Sequence, residues 1–252
     1  MSLTEQIHET IELLKSSDLD IVGYITGSSM LDADFDEWDS VPDVDVFCYT
    51  PTALVWAVCY LMHAHGMVPA TEGEKLKIQW LKESGVQYDA ALQTIKLKHG
   101  DVTVNLTWKK WKTTMNDVLS SFDMSIIMVG YDIKQGFGAD LRVNNGFVFG
   151  DEAAKWSDDP NVAVPNPLRS QDVDRYTVDK WVRQWDRVVK YWNRGYDTRP
   201  MARFYIKAID EVIAKGNVFT SEASENSFND FVERNIPLRD KMIKWLEDKE
   251  DC

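Results

Sequence analysis

The sequence predicts an α/β (α+β) fold in which a mixed β-sheet with flanking helices is followed by a C-terminal helical domain. Short β-branched or alternating segments recur between residues 21 and 149, with a few helical segments between them. The stretch DDPNVAVPNP (158–167) carries three prolines and little periodicity, as a linker between domains would. Beyond it, apolar residues recur at helical spacing. We therefore predict an α/β domain over residues 1–165 and a helical domain over 166–252.

The first elements follow from capping signals and from alternation of polar and apolar residues. Ser2 and Glu5 have the spacing of a capping box, which opens a helix. The run IVGYIT is apolar and rich in β-branched residues, DVDVFCY alternates, and Pro51 suits the first turn of a helix. The predicted elements are, in order, a helix over 3–16, a strand over 21–26, a strand over 43–49 and a helix over 51–65. We expect the two strands to be neighbours in one mixed sheet that the two helices flank.

The later elements are predicted in the same way. Two strands are joined by a turn at His99-Gly100, and Asn144-Asn145-Gly146 is a hairpin signal. An apolar run predicts one more strand between them. The predicted strands cover 91–98, 101–107 and 122–132, and three helices cover 172–194, 199–215 and 226–249.

Charge and cysteine content exclude several classes of protein. The chain has 28 Lys and Arg against 41 Asp and Glu, a net charge of −13. Wholesale wrapping of DNA is therefore not expected, although a net charge does not describe local grooves. The three cysteines fit no metal or redox spacing, as is typical of a reducing cytosol. No apolar run approaches the roughly 18 residues of a membrane span, so we expect a cytoplasmic protein without a membrane partner.

Two acidic residues on one strand are the first candidates for a functional site. Asp43 and Asp45 are two positions apart, so they project from the same face of the strand. Their spacing along the strand is about 6.6–7 Å. Two carboxylates on one face repel each other unless a cation lies between them, and Mg²⁺ takes carboxylate and phosphate oxygens together. The alternative is an exposed edge strand whose aspartates are only solvated.

A glycine-serine turn precedes this pair along the chain. Gly27, Ser28 and Ser29 follow the strand over 21–26 and offer backbone N–H groups and a hydroxyl on which a triphosphate can rest. A metal held at Asp43 and Asp45 would then neutralise charge and align an attacking hydroxyl with the α-phosphate.

The order of these two motifs resembles the signature of a known superfamily. ITGSS followed by DVDVF resembles the signature of the DNA polymerase β-type nucleotidyltransferases. More narrowly, TGSSMLDADFDEWDSVPDVDVF followed by SSFDMSIIMVGYD is similar to nucleotidyltransferase-like proteins of phages and large DNA viruses. The resemblance is strongest over 21–49 and 116–133, and it fades in the C-terminal third.

This resemblance implies a nucleotidyltransferase-like fold and a metal-dependent transferase. Such an enzyme passes a nucleoside monophosphate from an NTP to a hydroxyl on RNA, a protein or a small molecule. Asp43 and Asp45 would hold Mg²⁺ or Mn²⁺, while Gly27, Ser28 and Ser29 would bind phosphates. A viral origin would place the protein in the host cytoplasm. The alternative is a catalytically degenerate member that binds a nucleotide or a protein, such as a phage factor directed against its host.

The superfamily usually supplies a third carboxylate from a later strand. In VTVNLTW the matching position is Asn105, whose carbonyl oxygen can bind a metal but cannot accept a proton. Asp101 begins the same strand and Asp123 lies in the later Phe-Asp motif, so either is a candidate substitute. If neither substitutes, we expect nucleotide binding without efficient transfer.

A basic stripe is predicted on the first helix of the C-terminal domain. At 100° per residue, one arc of this helix is apolar and the opposite side carries cations that can meet a triphosphate or an RNA backbone. Asp179 and Asp186 each precede a cation by four residues, so helical ion pairs are the alternative. The stripe consists of Arg183, Arg187, Lys190 and Arg194.

Two weaker patterns suggest metals. The acidic loop before Asp43 begins like a calcium loop, but Glu37 stands where the EF-hand needs glycine. His63 and His65 are two apart on a helix and do not face each other. We therefore predict a solvated acidic loop at Asp32, Asp34, Asp36 and Asp39, and histidines without a metal.

Overall fold

The computed structural model confirms a mixed α/β protein with C-terminal helices. It divides into two compact units, one made of Met1–Phe122 and Ile127–Leu141, the other of Asp123–Ile126 and Arg142–Cys252. The boundary predicted between 165 and 166 lies inside the second unit. The residues that the structure describes are 2–16, 23–31, 43–84, 92–110, 112, 114–142, 159–166, 178–215 and 222–250.

The first unit contains a mixed seven-stranded sheet and four helices among its described residues. The helices are α1 (Leu3–Lys15), α2 (Pro51–Ala64), α3 (Glu72–Ser84) and α4 (Met115–Leu119). The strands are β1 (Gly23–Thr26), β2 (Asp43–Cys48), β3 (Val68–Pro69), β4 (Leu92–His99), β5 (Val102–Lys109), β6 (Val129–Asp132) and β7 (Phe137–Asp140).

The strand order brings the two candidate motifs together. The order across the sheet is β3-β4-β5-β2-β1-β6-β7. Strand β2 pairs antiparallel with β1 and parallel with β5. The prediction that the strands at 21–26 and 43–49 are neighbours in one mixed sheet is therefore confirmed for the parts that the structure describes as β1 and β2.

Local signals explain where the first two helices begin. In α1, the Ser2 hydroxyl accepts from the Glu5 backbone N–H, and the Glu5 carboxylate accepts from the Ser2 backbone N–H. In α2, the Thr50 hydroxyl accepts from the Ala53 N–H, and Pro51 occupies the first turn. Each cap satisfies a backbone donor that the helix itself leaves free.

The apolar core lies on one face of the sheet. Helices α1, α2 and α3 supply apolar side chains to a single buried cluster, together with every second residue of the central strands. Successive side chains of a strand point to opposite faces, so the strand residues between these core members point to the other face of the sheet. The members from the central strands include Ile25, Val44, Val46, Ile95, Leu97, Val104 and Leu106.

The strand predicted over 122–132 is wrong in its first half. Residues Ser125–Ile127 form a 3₁₀ turn, and the strand begins only at Val129. The Ser125 backbone N–H donates to the Val164 carbonyl at 3.0 Å, and the Val164 N–H donates to the Ser125 hydroxyl at 2.9 Å. These contacts with a distant segment override the local β propensity of two isoleucines. The predicted hairpin at 144–146 lies outside the described residues.

The second unit contains three helices among its described residues: α5 (Val178–Asn193), α6 (Arg199–Lys215) and α7 (Glu222–Glu250). Trp245 of α7 packs edge-on against Trp185 and Trp192 of α5, with ring centroids 5.3 and 5.2 Å apart. Over the described part of the chain, no helix combines the length and apolarity that a membrane crossing requires.

Candidate functional site

The face of the sheet opposite the core is polar over its central strands. On β4, Ile95 and Leu97 belong to the core, whereas Lys96 and Lys98 are exposed. On β2, Val44 and Val46 alternate in the same way with the two aspartates. The polar residues on this face are Thr94, Lys96 and Lys98 of β4, Thr103, Asn105 and Thr107 of β5, Asp43 and Asp45 of β2, and Thr26 of β1. The same alternation places the aromatic residues Phe47 of β2 and Tyr24 of β1 beside them.

Strand register places Asp45 between two polar neighbours. Asp45 pairs with Asn105 on the parallel strand β5 and with Thr26 on the antiparallel strand β1. Asp43 pairs with Thr103. Directly paired residues on one face are close enough for their side chains to interact, so Asn105 is in position to contact the aspartates.

Asn105 bridges the two carboxylates. Its Nδ2 donates to Asp43 Oδ2 and to Asp45 Oδ1, and both distances are 3.0 Å. The amide side chain is buried, with 7% of Asn105 exposed, whereas Asp45 is half-buried and Asp43 is exposed. An amide NH₂ group has two hydrogens, and here one is directed at each carboxylate. One atom therefore marks the point on which both aspartates converge.

Two buried oxygens next to this point have no hydrogen-bond partner. Asn105 Oδ1 and Thr26 Oγ1 both lack one within the described structure. Such groups are uncommon in proteins, because burying an oxygen without a donor costs free energy. Both belong to residues paired with Asp45, so these two oxygens lie beside the converging carboxylates.

The glycine-serine turn reaches the same place. Gly27 has a φ of +79°, which favours glycine, and a Cβ at that position would lie 3.2 Å from Asp45 Oδ2. The Ser29 hydroxyl donates to the Thr26 carbonyl at 3.2 Å inside the turn, and the Ser28 carbonyl accepts from the Leu31 N–H at 3.3 Å. Residues 27–30 thus form a compact 3₁₀ turn against the Asp45 carboxylate.

Lys96 and Lys98 were not among the residues singled out from the sequence. They pair with Asn105 and Thr103, so two cations lie one strand away from the bridging amide, a spacing of about 4.8 Å. The alternation in QTIKLKH already indicated that the two lysines share a face. What the sequence did not provide was the strand order, which makes that face the one bearing Asp43 and Asp45.

The proposed substitute Asp101 is held elsewhere. Its Oδ2 accepts from Gln6 Nε2 at 3.3 Å, and its backbone N–H donates to Gln6 Oε1 at 3.0 Å. Gln6 belongs to α1, the helix that covers the apolar face. Within the described ranges, no His, Cys, Asp or Glu completes a group of three with the Asp43–Asp45 pair.

The other proposed substitute, Asp123, forms an ion pair inside the second unit. Its Oδ2 accepts from Arg187 Nη1 at 2.5 Å and from Gln184 Nε2 at 2.8 Å. Burial alone would raise the pKa of Asp123, but the charge and hydrogen bond of Arg187 outweigh it and hold the pKa below its usual value. The same carboxylate raises the pKa of Arg187 in spite of burial, so this pair remains charged.

The remaining cations of the basic stripe differ from one another in surroundings. Arg183 is exposed, whereas the Arg194 guanidinium carbon lies 5.2 Å from the Tyr191 ring centroid and Lys190 Nζ lies 5.8 Å from it. Arg187 donates to Gln184 Oε1 at 3.1 Å in addition to Asp123. The stripe is therefore not one uniform solvated face, and its contact with nucleotide stays a prediction.

A second polar cluster extends the same face toward β6. The Tyr49 hydroxyl donates to the Asp132 carboxylate, and the Tyr24 and Tyr49 rings lie 4.3 Å apart. The Gln135 N–H donates to the other carboxylate oxygen of Asp132 at 2.9 Å. Burial and the hydrogen bond to Asp132 raise the pKa of Tyr49. Both Asp132 oxygens thus have a donor, which marks a structural contact.

The weaker metal patterns have mixed outcomes. The acidic loop with Asp32, Asp34, Asp36 and Asp39 lies outside the described residues. His65 packs edge-on against Tyr60 with centroids 5.0 Å apart, and His63 is exposed at the end of α2. Within the part of the chain that the structure covers, neither histidine belongs to a group that could hold a metal.

The atoms around the bridging amide suit a hard divalent cation. Asp43 and Asp45 contribute carboxylate oxygens, and the partnerless Oδ1 of Asn105 is an amide carbonyl oxygen. Oxygen ligands of these kinds are preferred by Mg²⁺, which also keeps water and substrate oxygens in its coordination shell. The residues therefore fit Mg²⁺ or Mn²⁺ in chemistry.

Comparison of the chain with protein-family models, with curated proteins and with solved structures found no match. The resemblance to nucleotidyltransferases accordingly remains a prediction from two sequence motifs.

Proposed function

We propose that the chain is a metal-dependent nucleotidyltransferase that binds an NTP on the polar face of the sheet. Asp43 and Asp45 hold Mg²⁺ or Mn²⁺, and the turn at Gly27, Ser28 and Ser29 receives phosphate oxygens. A hydroxyl oxygen of the acceptor forms a bond with the α-phosphorus, while the bond from that phosphorus to the bridging oxygen breaks. Pyrophosphate leaves, and the hydroxyl proton passes to solvent. When bound, the metal supplies positive charge at the transferring phosphate.

One observation carries this proposal. Asp43 Oδ2 and Asp45 Oδ1 converge on a single atom, Asn105 Nδ2, at 3.0 Å each. Two solvated aspartates on an edge strand would have no reason to converge, and β2 is a central strand between β1 and β5. A donor or a cation at that point relieves their repulsion.

Cations and a tight turn beside the pair support an anionic substrate. Lys96 and Lys98 are exposed on the same face, next to Asn105 and Thr103. Gly27 permits the turn after β1 to approach Asp45 closely. A phosphate chain bound between the lysines and the turn would pass over the two aspartates, which would hold the metal that neutralises phosphate charge.

A second candidate function is nucleotide binding without transfer. It is favoured by the absence of a third acidic ligand beside the pair within the described ranges. Asn105 cannot accept the proton of an attacking hydroxyl. In this case the protein would bind metal and NTP on the same face but would leave the nucleotide intact.

Label transfer separates the two functions. The protein is incubated with each α-³²P-labelled NTP, Mg²⁺ or Mn²⁺, and cellular RNA or protein, and label on macromolecules and release of pyrophosphate are measured. We expect both products, and we expect them to disappear in Asp45→Asn. Asp101→Asn is the matched control, since it removes a carboxylate held by Gln6.

Binding of NTP without any label transfer by the wild type would favour the second candidate. Equal transfer by the wild type and Asp45→Asn would contradict both, because each function places the metal at Asp45.

A further inference from the structure

We infer that the Asn105 side chain is a cation-responsive switch that turns over when a metal enters between Asp43 and Asp45. Without a cation, Nδ2 faces the two carboxylates. With a cation bound, the amide rotates by half a turn about its terminal torsion and presents Oδ1 instead. This inference rests on the metal site of the proposed function and adds how that site is loaded.

The chemistry of the two carboxylates determines which end of the amide faces them. Ionised carboxylates only accept hydrogen bonds, so in the absence of a cation the NH₂ group is the compatible end. The observed contacts from Nδ2 have this orientation. A cation at the same point reverses the requirement, because it attracts an oxygen and repels the amide hydrogens. The oxygen and nitrogen ends are nearly equal in size, so rotation needs almost no extra space.

The structure shows a buried oxygen that the present orientation leaves without a partner. Only 7% of Asn105 is exposed, and its Oδ1 has no hydrogen bond within the described structure. Rotation would bring this oxygen to the cation and give it a ligand bond. Thr26 Oγ1, also buried and without a partner, belongs to the residue paired with Asp45 on the other side. Its hydroxyl can donate to a carboxylate oxygen of Asp45 once the pair rearranges.

The bridging amide has one consequence for folding and one for metal binding. The bridging NH₂ group screens the repulsion of Asp43 and Asp45, so the fold does not depend on metal. A cation must also displace two hydrogen bonds, so it binds more weakly than it would to an aspartate at position 105. Residue 105 therefore sets the affinity for the metal in two ways: its NH₂ group competes with the cation, and its carbonyl oxygen binds the cation.

The direct test follows the side-chain amide of Asn105 by NMR. In ¹⁵N-labelled protein its NH₂ cross-peaks are assigned by their loss in Asn105→Asp, and Mg²⁺ is then added. We expect these cross-peaks to shift by more than their line width as the hydrogen bonds to the carboxylates break. Binding of Mg²⁺ is measured separately, as an increase in melting temperature that Asp43→Asn abolishes. If Mg²⁺ binds by this measure and the cross-peaks of Asn105 do not shift, the inference is overturned.

Two variants test the affinity. Asn105→Asp is expected to bind Mn²⁺ at least tenfold more tightly than the wild type, and to melt at a lower temperature without metal because three carboxylates then repel. Asn105→Leu, which keeps the shape but removes the carbonyl, is expected to bind Mn²⁺ at least tenfold more weakly. Equal Mn²⁺ affinities in all three proteins would also overturn the switch.

The outcomes separate the switch from the proposed function. A shifting amide without label transfer would sustain the switch and contradict the transferase. Label transfer with an unshifted amide would support the transferase and contradict the switch. Mn²⁺ binding by Asn105→Asp alone would show that the amide blocks the metal, and it would contradict both for the wild type.

Discussion

A Cβ atom on Gly27 would lie 3.2 Å from Asp45 Oδ2, at a residue whose φ of +79° already favours glycine. The turn after β1 can therefore lie this close to the Asp45 carboxylate on β2 because residue 27 has no side chain. This contact links the turn after β1 with the next strand along the chain, β2, which is also its neighbour in the sheet.

Replacing Gly27 by alanine should therefore impair both stability and binding. The left-handed backbone would cost about 1–2 kcal/mol in an alanine, and the new methyl group would push the Asp45 carboxylate. We expect a lower melting temperature and a smaller increase in that temperature on addition of Mg²⁺ and NTP.

Gly66→Ala is the matched control. Gly66 also has a positive φ, +63°, but a Cβ there would meet nothing within 4 Å. It should lose similar stability and retain the full response to Mg²⁺ and NTP. An equal loss of the response in both variants would show that the Gly27 contact has no specific role.

Lys96 and Lys98 should contribute to binding of NTP. Loss of one charge-assisted phosphate contact costs about 1.5–3 kcal/mol, or roughly ten- to a hundredfold in affinity. We expect Lys96→Gln and Lys98→Gln to weaken NTP binding and to make it less sensitive to salt, as measured by titration at two salt concentrations.

Lys82→Gln provides the control for charge alone. Lys82 is exposed on α3, whose residues Ile78 and Leu81 pack in the core on the opposite face. If its removal weakens NTP binding as much as the removal of Lys96, the effect belongs to net charge and the polar face has no special role.

Arg187 should matter for the stability of the second unit. Its replacement by glutamine would leave the Asp123 carboxylate without its cation, which we expect to cost about 1–3 kcal/mol in urea unfolding. Arg183→Gln, at an exposed position on the same helix, should change stability by less than about 0.5 kcal/mol. Equal costs in the two variants would contradict the assignment of Arg187 to the ion pair.

Acid stability should depend on Asp123. Because the pKa of Asp123 is lower in the folded protein than its unfolded value of about 3.9, its contribution is present above that value and is lost as the pH falls through the folded pKa. We expect Asp123→Asn to be less stable than wild type at pH 6, with the difference shrinking below about pH 4. A difference that stays constant from pH 6 to pH 2.5 in urea unfolding would contradict this.

Alternation and capping sufficed for much of the first unit. The pairing of β1 with β2 and the caps of α1 and α2 depend on nearby residues, so the sequence predicts them well. The strand order could not be predicted, because the parallel pairing of β2 with β5 depends on contacts far apart in the chain. That pairing is what brings Asn105 to Asp43 and Asp45.

The helical part shows a different limit. Helical periodicity places Val182 on the apolar arc of α5, yet 43% of it is exposed. Periodicity also groups Arg187 with the other cations, whereas its hydrogen bond goes to Asp123, 64 residues earlier. A pattern on one helix cannot predict a partner from a distant segment, so the surroundings of each cation had to come from the structure.

The most direct measurement of the central claim is the thermal stability of the double variant Asp43→Asn/Asp45→Asn with and without Mg²⁺ and NTP. Wild type and the control Asp101→Asn should both be stabilised, by about 2.7 kcal/mol when the free ligand is at a hundred times its Kd. The double variant keeps the shape of both side chains but loses the charges that attract the cation. It should therefore show no stabilisation by Mg²⁺ and NTP. An equal increase in melting temperature for the double variant and the wild type would contradict a metal and nucleotide site at Asp43 and Asp45.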